Sequence, residues 1–352
     1  MKSRIVFTLI MSLILAALLT SCSGSMTATS WPGYSVFEDK IFLSYQTGVF
    51  AINLNNGNLV WQYPEKAESR RNYYASPQVA DGQVIVGDYL NTLHSLNLEN
   101  GTEKWIYDTV NGRFISGVAV VKDTILASAS DNYLYAFDLS GDVRWKFQTK
   151  AANWAKPASD GVAAYLPSMD HHLYAVDLKS GAELWQTDLG GAVVGGLELN
   201  GERLYVGTLS NELLAVDKKD GKVVWRFAAD GAVWAIPILK EGVLYFADTA
   251  STIYALDAEA GTVRWRISEV GGPIVGSAGM MEKGLVFPTE DGKLVAVDFN
   301  GQRLWEKQIN GKLYSSPVVA EGRIITGVND GDAVLKAFDF NGSELWSFAL
   351  PK

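Results

Sequence analysis

The sequence predicts an all-β chain, an eight-bladed β-propeller with four antiparallel strands per blade. Three features predict it: tryptophans at a near-constant stride, a glycine fixed four places before each, and a short strand motif just upstream. Trp61, Trp105, Trp145, Trp185, Trp225, Trp265, Trp305 and Trp346 are separated by 44, 40, 40, 40, 40, 40 and 41 residues. Self-similarity at such a period marks one supersecondary unit repeated along the chain. The preceding glycines are Gly57, Gly101, Gly141, Gly181, Gly221, Gly261, Gly301 and Gly342.

The chain opens with an address. Residues 1–21 carry a basic start (Lys2, Arg4), a 15-residue mostly apolar run from Ile5 to Leu19, and small polar residues before Cys22. That run is short for a membrane span, which needs about 20 apolar residues, and reads as a signal peptide. Leu19-Thr20-Ser21-Cys22 is similar to a bacterial lipobox, which makes Cys22, the single cysteine, the expected site of lipidation. Acyl chains there would hold the protein on a membrane. Residues 22–30 then read as the lipidated cysteine and a short tether, and 31–352 as the propeller.

Within each unit, two strand-like runs such as Gln83–Gly87 or Val243–Ala247 lie upstream of a motif strand of the type LYAVD. Its alanine position is Ala51, Ala136, Ala175, Ala215, Ala255, Ala296 and Ala337, with Ser95 the exception. Its acidic position is Asp138, Asp177, Asp217, Asp257, Asp298 and Asp339, with Asn53 and Asn97 standing in. Asp or Asn can bond the backbone of the turn that follows, and glycine can take the positive φ which closes it. The alanine is small where a neighbouring sheet must approach. Each tryptophan then sits at a fixed point of the last strand, where its ring can wedge against the adjacent blade while its N–H finds a carbonyl. Burying ~200 Å² at ~25 cal/mol/Å² is worth on the order of 5 kcal/mol per ring before entropy is subtracted. Four strands per forty residues is a propeller blade. Eight of them consume nearly all of residues 31–352, so no second domain fits.

A second period runs through alternate units. The even ones carry aromatic-x-x-Pro at Tyr74, Trp154, Trp234 and Tyr314, while the odd ones carry a glycine beside the matching position, at Gly33, Gly117, Gly195 and Gly276. If this is the innermost strand, large and small residues alternate around the axis, with aromatics at one mouth of the channel. They either fill a space too narrow for eight bulky groups or form a stacking site for a flat or sugar-like ligand.

Composition narrows the function. The formal charge is −9, and a chain starting at Cys22 has 28 basic against 39 acidic residues, a net charge of −11. That sign argues against a nucleic-acid binder. One cysteine excludes an intrachain disulfide, a multi-thiolate zinc site and an iron–sulfur cluster. Of the three histidines, His94 occupies a tyrosine position of its strand and His171-His172 fall in a turn, so no metal site is expected. Asn329-Asp330-Gly331-Asp332 lacks the full set of calcium ligands and reads as a turn. Asp81, Glu241, Glu282 and Glu321 recur at equivalent places and read as turn formers, leaving no catalytic residue and no cofactor site. The longest connection, Gln62–Asn72, carries Lys66, Arg70 and Arg71, either a solvated loop or a contact loop for a partner.

The pattern A-x-D-x-x-x-G-x-x-x-W resembles the tryptophan-docking motif of pyrroloquinoline quinone (PQQ)-type propellers. Combined with a lipidated start, the chain resembles the outer-membrane protein assembly factor BamB family. That resemblance implies a monomeric, non-catalytic scaffold, lipid-anchored on the periplasmic face of the outer membrane. It would dock to the POTRA domains of a BamA-type barrel protein through loops on one face. Ser23 after the cysteine is the residue usual for outer-membrane sorting. PQQ-dependent dehydrogenases share the motif but carry insertions, a vicinal disulfide and a calcium site. A ligand-binding or sensor lipoprotein is the other alternative.

Overall fold

The computed structural model describes residues 31–351. The expected signal peptide, lipidation site and tether lie outside the described residues. Within them, thirty-two strands form eight four-stranded antiparallel sheets, each built from four strands consecutive in sequence. The blades run Gly33–Tyr63, Gln78–Tyr107, Ala119–Gln148, Ala158–Asp188, Leu197–Ala228, Ile238–Ile267, Gly279–Gln308 and Val318–Phe348. First strands of neighbouring blades contact one another around the axis, and the fourth strands form the outer wall. Second and third strands are buried on both faces, as Ile41–Tyr45 and Val49–Ile52 illustrate.

The docking motif interlocks these sheets. All eight indole N–H groups donate to a main-chain carbonyl of the next blade at 2.7 to 3.1 Å. The acceptors are Leu98, Leu139, Leu178, Lys218, Ala258, Phe299, Phe340 and Leu54, each one residue past the motif Asp or Asn. The motif glycine lies under the ring: a Cβ on any of the eight would come within 2.5 to 3.1 Å of the preceding blade's indole. Glycine is therefore required twice, for a φ of +67 to +90° and for the closeness of the ring.

The small residue has a related cause. Every motif Ala, and Ser95, pairs across the sheet with its own blade's tryptophan, and the register shifts immediately after it. A bulge at that point bends the last strand. In the second blade the buried Ser95 hydroxyl donates to Gln83 Oε1, which also accepts the Trp105 N–H at 3.2 Å. Gln83 Nε2 donates to Leu139 O at 2.9 Å, so the polar exception is satisfied within the same interface.

Among the described residues, no strand is exchanged between the first and last blades. Trp346 donates to Leu54 O at 3.0 Å across the seam, and the buried Tyr34 hydroxyl donates to Ser316 O at 2.7 Å and accepts from Gly327 N at 3.1 Å. Burial raises the pKa of that hydroxyl well above the usual tyrosine range. The seam thus uses the same docking contact as the other interfaces plus one buried phenol.

The ring has two unlike faces. One carries the connections between blades and the loops between second and third strands. The other carries the two tight turns of each blade. Asp81-Gly82, Glu241-Gly242 and Glu321-Gly322 all have positive φ at both residues, the two-residue type I′ hairpin. The recurrent acidic residues occupy turns, with Glu282 in the matching place between Met281 and Gly284.

Candidate functional site

A cavity of about 700 Å³ opens on the axis at the face of the blade connections. Trp154, Trp234 and Tyr314 line it, together with Trp31, Ile115, Val194 and Val275. The backbone explains the placement. In each even blade the proline, Pro77, Pro157, Pro237 or Pro317, immediately precedes the first strand and is buried. The innermost strand has no inner neighbour in its own sheet, so the missing N–H costs no ladder bond. The aromatic lies three residues earlier, where the chain turns over the axis.

The odd-blade glycines allow the approach. A Cβ on Gly33 would meet Tyr74 O at 2.2 Å, and one on Gly195 would meet Trp234 O at 2.1 Å. Gly117 and Gly276 face Ser76 O and Ser315 O in the same manner, at 2.9 and 3.1 Å. The alternation therefore reflects backbone passing against backbone as well as the size of side chains.

The four even-blade aromatics are not equivalent. Trp154 and Trp234 keep 38% and 39% of their surface exposed. The Tyr314 hydroxyl donates to Glu290 Oε1 at 3.1 Å, and Lys312 Nζ lies 5.9 Å from the Tyr314 ring centre and 3.8 Å from Glu290. Tyr314, and then Glu290, hold the Lys312 ammonium above its usual pKa. Tyr74 is buried instead, its ring 4.1 Å from that of Tyr89 and edge-on to Trp31 at 5.7 Å. Trp31 takes the place at the rim. Its position two residues ahead of the first strand was the only signal for that role, and it falls outside the even-blade pattern.

The basic loop divides. Lys66 and Arg70 are exposed. Arg71 turns inward, pairing with Glu68 at 3.2 Å and with the fully buried Asp88. Asp88 Oδ1 accepts from Leu90 N and Thr92 N at 2.8 and 2.9 Å, and its Oδ2 lies 2.9 Å from His94 Nε2. The same Nε2 lies 3.0 Å from Arg71 Nη1, so the guanidinium, the carboxylate and the imidazole meet at one point. The Asp88 charge raises the Arg71 pKa against the opposing effect of burial. The sixth blade repeats the turn with Asp248, whose partner there is Tyr254 at 2.9 Å. The Arg71–Asp88–His94 cluster is thus an elaborated turn that pins the longest connection to its blade.

His171 sits in a turn at a φ of 73° and Asp330 in another at 52°. Among the described residues, no group of three or more His, Cys, Asp or Glu side chains is arranged to hold a metal ion. None of their helices is long and apolar enough to cross a membrane.

This geometry can be set beside known proteins. The family model described as outer membrane protein assembly factor BamB matches residues 22–165, 169–311 and 251–351. The chain belongs to this family. BamB of Xanthomonas campestris pv. campestris is 33% identical over 78 residues, 20% of this chain and 19% of the relative. BamB of Shewanella oneidensis is 23% identical over 209 residues, 44% of this chain and 52% of the relative. The serine/threonine-protein kinase AfsK of Streptomyces griseus is 27% identical over 154 residues, 40% of this chain and 18% of that protein. The matches thus span about half or less of the length of these relatives.

Among solved structures, BamB from Moraxella catarrhalis superposes with a TM-score of 0.74 at 16% identity, over 87% of this chain and 93% of that one. A computationally designed protein, Ika8, gives 0.73 at 13% identity over 89% and 96%. A europium-containing methanol dehydrogenase gives 0.69 at 12% identity over 85% and 84%. One architecture thus serves family members, a design and an enzyme, so fold alone does not select the activity.

Proposed function

We propose that this member of the family is a non-catalytic propeller scaffold for the assembly of outer-membrane β-barrel proteins. It is lipid-anchored through Cys22 on the periplasmic face of the outer membrane, and its partner is a BamA-type barrel protein bearing POTRA domains. The observation that carries this reading is the family match over most of the chain, reinforced by blades with almost no insertions. A closed ring held by eight equivalent contacts presents many turns on one base, which suits simultaneous protein contacts. Detergent extraction followed by affinity capture of the full-length chain tests it. Co-recovery of a POTRA-bearing barrel protein is expected, and capture without any such protein overturns the reading. Alcohol or sugar oxidation on addition of PQQ and calcium would overturn its non-catalytic part.

The cavity at the axis favours a second reading, a ligand-binding or sensor lipoprotein. Quenching of indole fluorescence by a small molecule, lost on replacing both Trp154 and Trp234 by Ala, would support it. A screen of planar and sugar ligands without quenching would retire it.

A further inference from the structure

We infer that the face bearing the axial mouth is the one held toward the membrane, and that it faces the headgroup layer of a lipid surface. This rests on the lipid anchor at Cys22 proposed above. Trp31, the first described residue, lines the mouth, and Cys22 precedes it by nine positions. Whatever path the intervening residues take, nine residues span at most ~32 Å.

To bring the opposite face to the membrane, the chain would have to cross a blade and descend its outer wall. That path comprises three interstrand steps of ~4.8 Å and an outer strand of five or six residues at ~3.3 Å each, roughly 31–34 Å along strand centres alone. Turns and side chains add to it. The reach is spent before the far face is met.

A second observation points to the same side. Eleven tryptophans are present; eight belong to the docking motif, and the other three, Trp31, Trp154 and Trp234, all line this mouth. Each keeps 38 to 41% of its surface exposed. Indoles, part apolar and part hydrogen-bond donor, concentrate where lipid meets water.

The test uses the full-length chain purified from membranes and placed in phosphatidylethanolamine–phosphatidylglycerol vesicles containing an acceptor-labelled lipid. A donor fluorophore is attached through maleimide to Leu90→Cys, on the second-to-third-strand loop of the mouth face, or to Lys219→Cys, on the opposite face. Energy transfer is expected to be at least about twofold higher from the first site, given the limited span of the anchor segment. Inserting twenty Gly/Ser residues between Ser25 and Met26 is expected to reduce the difference, and whatever asymmetry survives it supports the inference through the indoles of the mouth rather than through the tether. Equal transfer without the insertion, or higher transfer from the Lys219→Cys site, overturns the inference. The unmodified chain separates this failure from failure of the anchor. An acylated Cys22 takes no maleimide, so labelling of that chain would overturn the anchor reading and the orientation with it.

Discussion

At the residue scale, the motif glycines show how one letter answers two demands. Gly82 and Gly101 of the second blade both have positive φ, +67° and +70°, yet a Cβ on Gly82 meets nothing within 4 Å while one on Gly101 meets the Trp61 ring at 2.5 Å. Gly82→Ala is expected to cost about 1 kcal/mol, the left-handed backbone penalty alone. Gly101→Ala adds overpacking against the indole and is expected to cost about 3 kcal/mol. Urea unfolding of both variants checks this, and equal losses would mean that the ring contact is unimportant. The positive φ was legible in the sequence from the turn that follows Asn97. The overlying ring was not, because it belongs to the preceding repeat, and spacing within one repeat does not show which neighbour touches it.

Glu198 offers a residue-scale test in pH. Burial alone raises its pKa above the usual carboxylate range. A raised folded-state pKa favours the protonated form, so the stability it contributes is present below the unfolded pKa and lost as pH rises through the folded one. Glu198→Gln, which stays neutral, is therefore expected to raise the melting temperature more at pH 7 than at pH 4. A gain that does not grow with pH would show that the carboxylate is not penalised.

At the scale of elements, the Gln62–Asn72 connection was legible as the longest and as basic, since it stretches the stride to 44 residues. That Arg71 folds inward was hidden, because its partner Asp88 looks in sequence like any other turn acid. Removing Arg71 leaves Asp88 buried with a lost countercharge, although two backbone N–H groups and His94 still serve it. Arg71→Ala is expected to cost about 2 to 4 kcal/mol and to open the loop to trypsin at Lys66 or Arg70. Replacing either of those exposed residues by Ala is expected to change stability by less than about 0.5 kcal/mol. Denaturation together with timed trypsin cleavage distinguishes the two. The even-blade aromatics divide for a similar reason: the sequence showed the period and the proline, but not that Trp31 would take the rim position and leave Tyr74 buried with its ring tilted against that of Tyr89.

At the scale of the whole molecule, closure was the feature the sequence least disclosed. A stride of tryptophans is compatible with an open stack as well as with a ring, since each repeat needs only its neighbour. Closure becomes visible when Trp346 reaches Leu54 and Tyr34 reaches Ser316, contacts separated by nearly the whole described chain. Because all eight sheets are contiguous in sequence, no interface depends covalently on where the chain starts. A circular permutant joining Leu350 to Trp31 by a short Gly/Ser linker and opening between Gly190 and Gly191, next to the exposed Gly190, removes one connection between blades and creates another. It leaves all eight indole contacts intact. It is expected to unfold in a single transition with a stability loss of no more than about 2 kcal/mol, the scale of ordering one new loop. Circular dichroism and urea titration measure both. If the seam were held by something other than the repeated docking contact, the permutant would unfold in two steps, with the blades around the new termini separating first.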